Sequence, residues 1–255
     1  MTRWRAALIV LAGFGLALAR AAPAPAAVQT SILGQFIFGA GPQDDRSAPA
    51  PPVARYVSDE GQTFVFDRSS PTPLMRFEDS QEVLALNPTP AARGDTIYTN
   101  DLGEPVLRVT RLGGLTLFFP GRPAGAPAAF AGQAPGIRLS PMSPGALLQR
   151  LAQASIRASR AARHLIVFDA QEVTPGSEAV FADAAQVAAQ ALVRPAGQSK
   201  GEAAAARFIR VLFTPGPKGS VSAGHGILKI TVNPSQGLAG RPSSARIGEV
   251  AAKNH

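Results

Sequence analysis

Asp169 and Glu172, just after the apolar run Leu165 to Phe168, and Lys218, Ser220, Ser222 and His225, in the loop TPGPKGSVSAGHG, are the residues best suited to chemistry. A carboxylate, an imidazole and a hydroxyl within reach of one another could relay a proton or activate a nucleophile. On this reading Asp169 and His225 are the catalytic pair of a hydrolase, with Glu172 and Lys218 as binding groups. A second acidic set, Asp95, Asp101 and Glu104, is spaced like two carboxylates across a hairpin, the arrangement of a glycosidase pair or a hard-cation site. Asp101, however, stands where aspartate commonly closes its own turn. A different chemistry is offered by Arg157 and Arg160. With Gln153 and His164 they form a basic stripe on a helical pattern, suited to binding an anion.

Metal and cofactor chemistry has little support. Three histidines and no cysteine leave few ligands for a transition metal. There is no phosphate-binding loop and no Gly-x-Ser-x-Gly elbow, so no cofactor is expected.

The elements that would position these groups follow from periodicity. From Arg55 the chain reads as a β meander. Its strands are expected at Thr63–Asp67, Leu74–Phe77, Val83–Leu86, Thr96–Thr99, Val106–Arg111 and Leu115–Phe119, with turns at Ser58–Gly61, Asn100–Gly103 and Gly113-Gly114. Residues 121–141 are rich in Gly, Pro and Ala and read as a connector. Ser143 followed by Pro144 then caps a helix with Leu147, Leu148, Leu151 and Ala154 on its core side. A strand at 165–168 follows, then Thr174-Pro175 as a second cap before a helix through Val193. Strands at 208–213 and 227–232 complete the pattern. The fold class is therefore α+β, an antiparallel β meander or small partly closed barrel at 54–120 followed by an αβαββ unit at 142–233. A right-handed βαβ crossover would bring Asp169 and the 214–226 loop to one sheet edge, where ligands of such sheets collect. The polar, basic segment 234–255 reads as a disordered tail.

The beginning of the chain carries an address. Arg3 and Arg5 precede the uncharged run Ala6 to Ala19, and Ala24-Pro25-Ala26 offers small residues for cleavage before Ala27. Fourteen helical residues span about 21 Å, short of the roughly 30 Å hydrocarbon core, so residues 1–26 read as a cleaved export signal with no later membrane span. Residues 27–53 read as a Pro/Ala-rich linker. An exported, cysteine-free chain suits the periplasm. Without Arg3, Arg5 and Arg20, the 25 basic residues fall to 22 against 17 acids. That charge is split, since residues 44–104 hold 11 acids and 5 arginines whereas 105–255 hold 17 basic residues and 6 acids. The basic half could face an anionic envelope component or another periplasmic protein. Nucleic acid is disfavoured by the absence of interleaved aromatic and basic residues.

The segments Tyr56 with Asp59–Arg68, Gly94–Tyr98 and Asn100–Gly114 resemble an uncharacterised family of exported alphaproteobacterial proteins of unknown function. The resemblance covers residues from about 55 to 232. It implies export and a Gram-negative setting and brings no catalytic residue. The leading expectation is thus an envelope-binding protein without catalysis, and the alternative is a periplasmic hydrolase at Asp169 and His225.

Overall fold

The computed structural model describes residues 51–193 and 205–253. The expected export signal and nearly all of the expected linker lie outside these residues.

Alternating apolar residues build a nine-stranded antiparallel sheet, from β1 (Val53–Ser58), β2 (Thr63–Asp67), β3 (Leu74–Phe77), β4 (Leu84–Ala85), β5 (Asn87–Pro90), β6 (Thr96–Thr99), β7 (Pro105–Val109), β8 (Leu115–Phe119) and β9 (Arg122–Gln133). Their order is β4-β3-β2-β1-β9-β8-β7-β6-β5. The two edge strands are consecutive in the chain and separated by Leu86, which is fully buried. One continuous segment therefore supplies both edges, and the sheet curls into a nearly closed barrel, the architecture that hides exposed strand edges. Phe64, Phe66, Met75, Leu107 and Leu117 fill it. Pro88 and Pro90 are tolerated in β5 because that strand pairs on one side only, with β6.

Residues 121–141, expected to be a connector, are for the most part strand β9, which pairs with both β1 and β8. Small side chains there let the sheet bend. At Gly125 (φ 80°) a Cβ would come within 2.4 Å of the Thr116 side chain. Pairing on two sides outweighs the poor strand propensity of the Gly/Ala/Pro composition.

Asp67, at the end of β2, joins the barrel to the segment after β9. Its Oδ1 accepts from the Ser69 N–H (2.8 Å) and hydroxyl (2.6 Å), and its Oδ2 from the Ile137 N–H (2.7 Å). Burial alone would raise its pKa, but the bonds from Ser69 and Ile137 and the charge of Arg138 together take it below the usual 3.8. A depressed carboxylate stabilises the fold above its unfolded value and ceases to do so as pH falls through the folded one. Asp67→Asn turns an amide N–H toward a donor and is expected to cost about 2 kcal/mol at neutral pH. Urea melts should show that difference shrinking below about pH 4; an equal cost at both pH values would contradict this account.

The second layer system is α1 (Pro144–Ala162), β10 (Val167–Ala170), α2 (Glu178–Val193), β11 (Arg210–Pro215), β12 (Ser220–Gly224), β13 (Ile227–Val232) and α3 (Ser244–Lys253). Its sheet runs β10-β11-β13-β12, with β10, β11 and β13 parallel and β12 antiparallel. The Ser143 hydroxyl caps α1, accepting from the Ala146 N–H at 3.3 Å. The second helix starts later than Thr174-Pro175 suggests. Those residues form a turn closed by the Ser177 hydroxyl and N–H on the Thr174 carbonyl, and Glu178 begins the helix. Most of α2 is buried, matching its Ala-rich, nearly uncharged sequence.

Residues 234–255, expected to be a disordered tail, contain a 3-10 turn (Pro234–Gly240) and α3 as far as Lys253. Ile247 and Ala251, one turn apart, are buried in the core of the helical layer. The Ser243 N–H and hydroxyl bond to Asp101 (2.8 and 2.6 Å), and those of Ser244 to Glu82 (2.7 and 2.5 Å). Two carboxylates from the barrel thus satisfy the first donors of α3 and complement its dipole. Two buried apolar side chains in ten residues are a weak sequence signal, and the partners that order the helix lie more than 140 residues earlier.

Candidate functional site

The expected catalytic pair is not assembled. Asp169 lies in β10 opposite Leu212, which lies opposite Lys229 in β13. His225 precedes Lys229 by four residues, so it is displaced by about 13 Å along the strands and, two strands over, about 10 Å across them. Hydrogen-bond reach, even through one water, is exceeded. The cause is local. The 214–226 loop contains strand β12, which carries the chain back along the sheet to a two-residue turn at His225 (φ 48°) and Gly226 (φ 74°). Both residues take the left-handed region, as a type I′ hairpin demands. His225 is therefore exposed at the opposite edge, and Asp169 pairs with Arg210. Glu172 sits exposed in the turn after β10 with φ 55°. These positions correct the expectation of a hydrolase centre built from Asp169 and His225.

The second acidic set is also dispersed among structural roles. Hydrogen bonds from Arg108 hold the Asp95 carboxyl below its usual value against the opposing effect of burial, and the Arg111 N–H adds a 3.2 Å bond. Such a carboxyl is a poor general acid at neutral pH, which a glycosidase pair requires. Asp101 caps α3, and Glu104 accepts from Asn100 Nδ2 at 2.9 Å. No group of three or more metal-capable side chains occurs among the described residues.

Two features remain. The first is a cleft of about 690 Å³ between the barrel rim, the 217–221 loop and the C-terminal segment, lined in part by Asn87, Asn100, Lys218, Ser220, Ser243 and Arg246. Lys218 is exposed there, so the loop residue singled out from the sequence does line a concave surface, away from His225. Gly219 forms part of the lining because its backbone lies against that of Gly240; a Cβ on it would sit 2.8 Å from the Gly240 carbonyl oxygen.

The second is the outward face of α1. The helix buries Leu147, Leu151, Ala154, Ala158 and Ala162, a stripe at the usual three- and four-residue spacing. Arg150, Arg157 and Arg160 are exposed, and no acidic residue occurs in its 19 residues. Among the described residues none of these three arginines has a carboxylate within salt-bridge distance. Like-charged side chains one turn apart repel, so Arg157 and Arg160 carry a small cost that an anion would relieve. His164 leaves this stripe, its Nδ1 lying 3.0 Å from the Ala162 carbonyl oxygen and its Nε2 2.8 Å from that of Phe208. Leu148, expected in the core, is 67% exposed, as the buried stripe runs about a quarter turn away from it. Ile156 is also half exposed.

A profile of the family described as Domain of unknown function (DUF4908) matches residues 33–251. The chain belongs to that family. No curated protein and no solved structure matches it. The described DUF4908 fold contains no helix long and apolar enough to cross a membrane.

Proposed function

We propose that this DUF4908 protein is an exported periplasmic protein that acts without catalysis, binding an anionic component of the envelope through the outward face of α1. The observation that carries the proposal is the set of three exposed arginines, Arg150, Arg157 and Arg160, on a helix without a single acid. A stabilising surface helix ordinarily mixes signs, because opposite charges three or four residues apart support it. A face of one sign forgoes that support and raises the local concentration of anions instead. Export is supported by the arginine, apolar and small-residue pattern of positions 3–26.

Binding of inorganic polyphosphate tests the electrostatic part. The affinity is expected to fall roughly tenfold between about 0.02 and about 0.2 M salt, as exposed charges are screened. Arg157→Gln with Arg160→Gln should lower it by a similar factor at low salt. Salt-independent binding, or a double variant that binds like the wild type, would refute the assignment to α1. Mass spectrometry of the protein from its own cells should find Ala27 at the N-terminus; an intact Met1 would remove the export half.

A further inference from the structure

We infer that the anionic partner of α1 is the surface of a lipid bilayer, an inference that rests on the anion-binding reading above and narrows it. A soluble polyanion needs only the arginines. The solvent side of α1 also exposes Leu148 and Ile156, 67% and 51% open to solvent, which nothing in such a polymer would cover.

The two residues are eight apart, so they stand about two turns from one another along the helix and about 80° around its axis, with exposed Ala152 midway on the same i, i+4, i+8 ridge. They form an apolar ridge about 12 Å long. At 100° per residue, Arg160 lies about 40° beyond Ile156, and Arg157 and Arg150 follow on the same flank. Gln149 and Gln153, exposed between Ile156 and Arg157 around the axis, are uncharged. Apolar ridge beside cationic flank is the arrangement of helices that lie in the membrane interface, where apolar side chains enter the acyl boundary and guanidinium groups meet headgroup phosphates. Charge complementarity fixes the lipid as anionic. The buried stripe, about a quarter turn from Leu148 and nearly opposite Ile156, keeps the helix attached to its own layer, so the protein would rest on the surface through the solvent side of one helix.

Vesicle sedimentation on protein purified from its native host tests this, with phosphatidylglycerol/phosphatidylethanolamine vesicles, phosphatidylcholine vesicles and inorganic polyphosphate as probes. Leu148 and Ile156 are already exposed, so Leu148→Ser with Ile156→Ser leaves the core intact, which circular dichroism would verify. The wild type is expected to bind the anionic vesicles and to prefer them to the zwitterionic ones at least tenfold. The Leu148→Ser/Ile156→Ser variant should lose about tenfold or more on anionic vesicles and keep its polyphosphate affinity. Arg157→Gln with Arg160→Gln should lose on both probes, about fivefold per arginine on vesicles. Equal vesicle binding by wild type and serine variant overturns the bilayer inference. So does polyphosphate binding without vesicle binding, which leaves the broader reading standing. Binding to neither probe removes both. A concentration-dependent dimer that the serine variant abolishes, without any vesicle binding, would assign the ridge to a second copy of the chain and likewise overturn it.

Discussion

Gly240→Ala is expected to destabilise the protein by about 3 kcal/mol or more, although it adds a single methyl group. A Cβ at this position would lie 1.9 Å from the Asn233 carbonyl oxygen and 2.9 Å from its carbon. Both obstacles are backbone, so no side chain can swing aside. Neither segment can retreat freely. The Asn233 N–H donates to the Gly240 carbonyl at 2.7 Å, and Asn233 Nδ2 donates to the Pro217 carbonyl at 2.8 Å. Relief of the clash therefore pulls apart the end of β13, the 3-10 turn and the 217–219 loop together, and with them one wall of the cleft. Gly248→Ala, in α3, is the control. Its Cβ would meet nothing within 4 Å, and helical glycine costs about 0.5–1 kcal/mol relative to alanine, so this variant should gain stability. Chemical denaturation of both variants checks the pair of signs. A Gly240→Ala protein within about 1 kcal/mol of the wild type would mean that the close approach is not rigid.

An effect of comparable size is expected from breaking the ion pair of Arg241 and Asp183. The side chains are 2% and 15% exposed, and Arg241 Nη2 also donates to the Val83 carbonyl at 3.1 Å. One guanidinium thus holds together the irregular segment leading to β4, the central helix α2 and the segment leading to α3. Removing either charge strands the other in the interior, at a cost of about 3–5 kcal/mol. Arg241→Met and Asp183→Leu should each fall in that range. The double variant should recover much of the loss, because two apolar side chains of similar volume remove the desolvation penalty along with the attraction. Additive losses in the double variant would show that the two charges do not depend on each other. The result bears on function too, since Arg241 lines the cleft beside Ser243 and Arg246 and its loss would open that wall.

Much of the local structure was readable from pattern. The strands at Thr63–Asp67, Leu74–Phe77, Thr96–Thr99 and Leu115–Phe119 and the helix from Pro144 lie where alternation and capping put them, because these signals act over a few residues. The α+β class followed from their order. The basic stripe at Arg157 and Arg160 was legible for the same reason, as helical spacing alone places both on one side. Leu148 cannot be told from the buried stripe by residue type, because all five buried positions of α1 are leucine or alanine, and only the tertiary structure shows which side of the helix is covered.

What composition and spacing determined by themselves, then, is most of the elements between Thr63 and Phe119, the helix from Pro144, the strands around Phe168, Val211 and Ile230, and the uneven charge of the two halves. Only the tertiary structure decided which segments pair: that Gly/Ala/Pro-rich residues 122–133 form a central strand, that residues 84–90 supply both edges of the barrel, that β12 turns His225 away from Asp169, and that Glu82 and Asp101 order the final helix. Each of those outcomes depends on hydrogen-bond partners distant in sequence, and a backbone donor or a carboxylate carries no mark in the sequence of which distant group will satisfy it.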